Sequence, residues 1–131
     1  GTNDLRRGLS VPPDAPRSAI SLALQSIILA ARSAGIAAHD GVYNHLEDMA
    51  GLVAECEEGR QMGFDGKSII HPSHIAPTNR AFSPTEGIVQ QAQALVEAYT
   101  GGAQRYDGRM IEAMHVAEAK AIIERAERHG G

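Results

Sequence analysis

Over residues 1–76 short apolar runs alternate with helical patterns, and that alternation is what most limits the fold. Ile36–Asp40 and Lys67–His71 have the length of short strands, and each stops at a breaker, Gly41 and Pro72. Before and between them the spacing turns helical. Ile20, Leu22, Leu24, Ile27, Ile28, Ala31 and Ala34 predict a helix over 15–34 closed by Gly35. Met49, Leu52, Val53, Cys56 and Met62 predict another over 47–62 closed by Gly63. Gly1–Leu5 reads as the end of a strand running into a loop. Strand end, helix, strand, helix, strand is the order of βα units, so the class is α/β with a parallel sheet covered by helices. Three parallel strands leave open edges. The sheet is therefore expected to be completed by material outside this sequence, and the chain to begin partway through a fold. Residue 1 is Gly, and no charged and apolar leader stands at the start.

After Pro77 the pattern changes. Ser83, Pro84 and Glu86 read as N-cap, N1 and N3 of a helix that Ile88, Val89, Ala92, Leu95, Val96 and Tyr99 carry to Gly101. Asp107-Gly108 is a hairpin turn signal, and 113–129 is a final helix with Val116, Ala119, Ile122 and Ile123 on its apolar face. The chain is thus expected to divide into an α/β body, 1–77, and a helical extension, 78–131.

Composition narrows the classes. Apolar residues make up 43%, enough for a core, but aromatics only 4% with no Trp, so Ala, Ile, Leu and Val must do the packing. Twelve basic against sixteen acidic side chains leave a net charge of −4, opposite to the basic stripe of a nucleic-acid binder. No apolar run reaches the ~18 residues of a membrane span. One cysteine, Cys56, cannot form an internal disulfide and fits a reducing, cytoplasmic setting.

The residues that can carry chemistry each have a plainer reading. Asp4, at the expected strand-to-loop handover, is either a ligand for a hard cation or a capping aspartate. His39-Asp40 and His71-Pro72 end the two expected strands and either rim a pocket or cap backbone groups. His71 and His74 lack the further Cys or His of a zinc site, and Pro72 breaks any helical register between them. Glu47-Asp48 is read as charge at a helix start, and Cys56 as packing. Glu112 opens the last helix. There is no Gly-x-Ser-x-Gly elbow and no phosphate loop. On residues alone, no reaction follows.

Several stretches in order resemble the HpcH/HpaI aldolase and citrate lyase β-subunit family, which includes malyl-CoA and citramalyl-CoA lyases. They are Gly1–Leu5, Ala30–Gly35, His39–Val42, Gly63–Lys67, Ile70–Ile75, Ala81–Pro84 and Asp107–Glu112 with His115-Val116. The resemblance implies the C-terminal part of a (β/α)8 TIM barrel, about the end of strand six and strands seven and eight, with a C-terminal helical lid. It implies a Mg2+-dependent carbon–carbon lyase that cleaves or forms a 3-hydroxyacyl thioester such as citryl- or malyl-CoA, giving an oxo-acid and an acyl thioester.

By the same resemblance Asp4 is one of two carboxylate ligands of Mg2+, the other, a Glu, belonging to the absent part. Thr2, Asn3 and Asp4 lie against the oxo-acid, and His71 and Pro72 along the CoA or phosphopantetheine arm. Glu112 stands where the family's lid carries an Asp that acts on the thioester α-carbon in a neighbouring subunit, so the protein is expected to be a homo-oligomer. The longer side chain at Glu112 leaves room for an alternative, a non-catalytic thioester-binding or assembly protein on the same scaffold. The 131-residue chain by itself is expected to be inactive.

Overall fold

The computed structural model describes Gly1 to His129, in two compact units, Gly1–Phe82 and a second beginning at Ser83. In the first unit the expected strand end at Gly1–Leu5 is instead a helix, α1 (Thr2–Gly8). Its Leu5 N–H donates to Gly1 O at 3.0 Å. These residues carry no alternation to hold a strand. Asp4 in the first turn and Arg6 and Arg7 in the last suit the helix dipole, and Arg7 pairs with Asp4 one turn away at 3.0 Å.

The helix expected over 15–34 starts late. Pro16 is extended, Arg17–Ile20 form a 3-10 turn, and α2 runs Ser21–Ser33. Its inner face, Ile20, Leu24, Ile28 and Ala31, is buried, while Leu22 and Leu29 point outward at 83% and 75% exposure. Gly35, at φ +67°, closes it as expected: Gly35 N–H donates to Arg32 O and Ile36 N–H to Ala31 O, the paired bonds of a Schellman turn. The same pair, Gly63 to Arg60 and Phe64 to Gly59, closes α3 (Met49–Met62) at Gly63, φ +111°.

Between the helices the two expected strands pair in parallel but are much shorter than their apolar runs. β1 is His39–Asp40 and β2 is Gly66–Lys67, in register His39 to Gly66 and Asp40 to Lys67. The ladder is prolonged by a side chain, since Ala38 N–H donates to Asp65 Oδ2 at 2.8 Å. The strand expected over 67–71 stops because His71 caps a 3-10 turn, Pro72–His74, accepting from Ser73 N–H at 3.2 Å. This turn leads into α4 (Ile75–Phe82), a helix the sequence reading did not include. Pro77 sits in its first turn, where a missing N–H leaves no intrahelical bond unmade. The core joins Ile20, Leu24, Ile28, Leu52, Cys56, Phe64 and Phe82. Cys56 is fully buried, as packing, with its Sγ 3.7 Å from Thr78 Oγ1; burial pushes its thiol pKa up.

Four segments meet in a charge network at the ends of β1 and β2. Asp40, 1% exposed, takes Arg17 Nη2 at 2.6 Å and Lys67 Nζ at 3.2 Å on one oxygen. Lys67 and Arg17 in turn reach Glu55, at 2.6 and 2.9 Å. The hydrogen bonds and charges of Asp40 and Glu55 outweigh burial and hold the Arg17 pKa above its usual value. Gly59 of α3 makes room: a Cβ there would stand 2.7 Å from Asp40 Oδ2.

In the second unit α5 (Glu86–Ala98) starts at a different cap from the one expected. Thr85, not Ser83, is the N-cap, its hydroxyl accepting from Ile88 N–H at 3.3 Å. β3 (Gln104–Tyr106) and β4 (Arg109–Ile111) form the expected hairpin. Asp107 and Gly108 both have positive φ, +46° and +74°, as a two-residue primed turn requires. α6 is Ala113–His129. Among the described residues no helix is long and apolar enough to cross a membrane.

Removing one partner from a buried pair leaves the other charge uncompensated, so in the full-length protein Asp40→Ala should lower the unfolding free energy by about 3–5 kcal/mol. Replacing both, Asp40→Asn with Lys67→Met, should recover part of that loss. Urea unfolding midpoints of the two variants against the parent are the check.

Candidate functional site

A cavity of about 720 Å³ opens at the C-terminal end of β1, the end of a parallel sheet where α/β proteins place their sites. Thr2, Asn3 and Asp4 of α1 line it with His39, Gly41 and Val42, above apolar walls from Leu24, Ile27 and Phe64. A second cleft, about 840 Å³, lies on the other side of α1, lined by Arg6, Arg17, Tyr43, His45 and Glu55 among others. Thr2, Asn3 and Val42 border both.

The edge between the two is built from α1 and the loop after β1. Gly41 lies so close to Thr2 that a Cβ there would fall inside the Thr2 side chain. Its N–H donates to Asp40 Oδ1 at 2.7 Å, which joins the loop to the charge network. Asn3 and Asn44 exchange amide hydrogen bonds at 3.0 and 2.9 Å. Tyr43 Oη donates to Asp48 Oδ2 at 2.7 Å, and Asp48 Oδ1 accepts from Gly51 N–H at 2.9 Å as the N-cap of α3. The Asp48 charge, expected within the first turn of a helix over 47–62, instead stands just before α3 and caps it. His45 stacks edge-on to Tyr43 at 5.6 Å. His74 is fully buried, with Nε2 3.3 Å from Leu46 O and Nδ1 without a partner.

The structure thus brings Thr2, Asn3 and Asp4 to one cavity. His71 and Pro72 are exposed and line neither cavity; His71 is occupied as a turn cap, with Nδ1 2.7 Å from Ser73 Oγ. Glu112 belongs to the second unit, immediately before α6, with an exposed side chain and a backbone N–H donating to His115 Nδ1 at 2.9 Å. Asp4 is a chemically suitable oxygen donor for Mg2+, and its side chain, 77% exposed, is engaged only in a surface pair with Arg7 that is easily opened. It is a single donor. Among the described residues no three or more His, Cys, Asp or Glu stand together as a metal site. Asp4 therefore fits as one ligand and does not make a centre.

Asn44, Tyr43 and Arg17 were not singled out from the sequence, and Glu55, which with Glu57, Glu58 and Arg60 reads as a solvated helix face, is instead paired with Arg17 and Lys67. Asn44 and Tyr43 sit in a loop without periodicity and carry no signal there. Lys67, a charge opening an apolar run, was a readable hint of a buried partner, and Asp40 at the end of the other run is that partner.

With this geometry in place the comparisons give the class. The family described as C–C bond lyase of the TIM-barrel fold matches over residues 17–131, and the chain belongs to it. The resemblance to HpcH/HpaI aldolases and citrate lyase β-subunits is borne out by individual relatives. A (3S)-malyl-CoA thioesterase of Cereibacter sphaeroides is 38% identical over 97% of this chain and 47% of its own length. A citrate lyase subunit beta of Haemophilus influenzae is 36% identical over 96% of this chain and 45% of its own. The crystal structure of CitE from Mycobacterium tuberculosis in complex with magnesium, acetoacetate and coenzyme A has a TM-score of 0.73 at 28% identity, covering 86% of this chain and 43% of that one. The chain spans about half the length of the curated relatives it matches.

The Tyr43–Asp48 bond has a measurable signature. The hydrogen bond to Asp48, with burial and the charges of Asp48 and Glu55, pushes the Tyr43 pKa up to about 12. The fold favours the neutral phenol, so this contribution to stability is full below the unfolded value near ~10 and is lost as pH rises through about 12. Phenolate absorbance should show one late-titrating tyrosine that Asp48→Asn returns toward ~10.

Proposed function

We propose that this chain is part of a Mg2+-dependent carbon–carbon lyase acting on a 3-hydroxyacyl-CoA thioester of the malyl or citryl type. The observation that carries it is the grouping of Thr2, Asn3 and Asp4 on a cavity at the C-terminal end of a parallel strand pair, in a chain of the C–C bond lyase family. The complex of the CitE neighbour with magnesium and coenzyme A supports the choice of metal and carrier. In this reading β1 and β2 are strands seven and eight of a TIM barrel, α1 follows strand six, and residues from Ser83 onward form the lid. The rest of the barrel brings the second metal-binding carboxylate. The protein works as a cytoplasmic homo-oligomer, each lid serving a neighbouring subunit.

The chemistry asks little of many groups. The 3-hydroxyl loses its proton, the bond between C2 and C3 breaks, and the electron pair left on C2, the thioester α-carbon, takes a proton. Bound Mg2+ supplies a Lewis acid for the oxo-acid oxygens, and Asp4 is one of its ligands. Thr2 and Asn3 position the oxo-acid, and His71 and Pro72 border the CoA arm. Glu112 gives and takes the α-carbon proton, a role worth roughly 100- to 10,000-fold in rate.

A second reading, thioester hydrolysis, is favoured by the relative at 38% identity, which is named for that activity. Incubating the full-length protein with (3S)-malyl-CoA and Mg2+ separates the two. Carbon–carbon cleavage yields glyoxylate and acetyl-CoA with no free thiol; hydrolysis yields malate and a free CoA thiol. Absence of both, with binding retained, would leave the non-catalytic reading. Asp4→Ala should lower turnover by more than about 100-fold, since even groups behind metal ligands are worth ~10- to 100-fold; undiminished turnover refutes its role. Glu112→Gln should abolish exchange of the acetyl-CoA α-protons with solvent while thioester affinity is nearly unchanged. Equal exchange rates would remove Glu112 from the mechanism.

A further inference from the structure

Asn3 enters the proposed site as a substrate contact, yet both ends of its amide are already bonded to Asn44. Thr2, beside it, is in contact with the backbone of Gly41. Both observations concern where α1 stands, and both lead to the same four-residue loop.

We infer that the loop Gly41–Asn44 sets the position of the first turn of α1, with Gly41 and Asn44 as positioning residues for the Thr2–Asn3–Asp4 edge. This rests on the lyase reading of that edge. Gly41 is the stop. Its φ is outside the left-handed region, so an alanine is allowed by the backbone. What a Cβ meets first is Thr2, whose Oγ1, Cγ2 and Cβ would all be overlapped. The stop is rigid because the Gly41 N–H is held by Asp40 Oδ1, and the other oxygen of Asp40 by Arg17 and Lys67. Asn44 is the latch. The reciprocal amide pair fixes α1 in two directions at once, where a single bond would leave a hinge. The far end of the loop is held by Tyr43 on Asp48, itself the cap of α3.

A stop and a latch act differently when removed. The Asn3–Asn44 pair is exposed, so water competes for it and its loss loosens α1 without leaving a buried group unpaired. Adding a methyl at Gly41 instead pushes the first turn away, and displacement of reacting groups by about 1 Å costs on the order of 100-fold.

The test uses the full-length protein with Gly41→Ala, Asn44→Ala and Asn44→Asp, the last of which keeps an acceptor for the Asn3 NH2. Three quantities are read: the Mg2+ dissociation constant by calorimetry, kcat and KM for the thioester, and amide exchange across residues 2–8. Gly41→Ala should lower kcat by about 100-fold and weaken Mg2+ binding, with KM for the thioester little changed. Asn44→Ala should weaken Mg2+ binding by about 3- to 10-fold and speed exchange in α1, with Asn44→Asp between it and the parent. Asn44 is exposed, so this variant reports even if Gly41→Ala does not fold. Mg2+ affinity and kcat unchanged in Asn44→Ala, or lost only in step with the melting temperature, would overturn the inference. If the parent neither cleaves nor hydrolyses the thioester, the lyase reading fails separately. Amide exchange then decides: faster exchange in α1 upholds the positioning role, and unchanged exchange in Gly41→Ala and Asn44→Ala overturns it.

Discussion

A carboxylate removed from water is tolerated only where enough donors replace the water, and the first unit is arranged around meeting that demand for Asp40. Two cations and a backbone N–H converge on it, and Glu55 balances the cations in turn. The donors come from the turn before α2, the second strand and the loop after β1, and α3 brings the Glu55 carboxylate that balances the two cations, so separate segments must arrive together before the charge is satisfied. Burial of ion pairs adds little net stability over apolar packing. What this arrangement adds is definition, because the register of β1 against β2 and the depth of α3 are fixed by the same carboxylate. Gly59 has no side chain for that reason: the helix lies on the carboxylate.

The same carboxylate passes order outward to the candidate site. Its second oxygen holds Gly41, Gly41 limits Thr2, and Thr2 begins the segment that lines the cavity. Site and network are thus one continuous structure, and Asp4, at its exposed end, is the least constrained member.

How much of this was legible depended on whether a local pattern existed. The Asp107-Gly108 hairpin, the closure of α2 and α3 by Gly35 and Gly63, and the span of α6 were readable because each rests on residues adjacent in sequence. α1 was misread since its helical character lies in a charge pair and a dipole rather than in an apolar stripe. α4 was passed over because Pro77 looks like a breaker until its place in the first turn is known. The strands were overestimated for a different reason: apolar runs record burial, whereas pairing requires a neighbour, and only His39 and Asp40 of the first run and Lys67 of the second have one here. In the candidate site, Asp4 was marked from an expected strand end that is in fact helix α1, and the family resemblance marked it again. Asn44 was out of reach, because an exposed amide in a loop is informative only once its partner 41 residues away is known.

Sequence separation also orders events in time. The β3–β4 hairpin closes over two residues, and such hairpins form in ~1–10 μs. Asp40 and Lys67 are 27 residues apart, with α3 between them, and a loop of that length must be closed before either charge finds the other. Until it is, the unpaired carboxylate and ammonium keep their hydration and oppose collapse around them. In the first unit the network can therefore form only after that closure, a requirement the second unit's hairpin does not share.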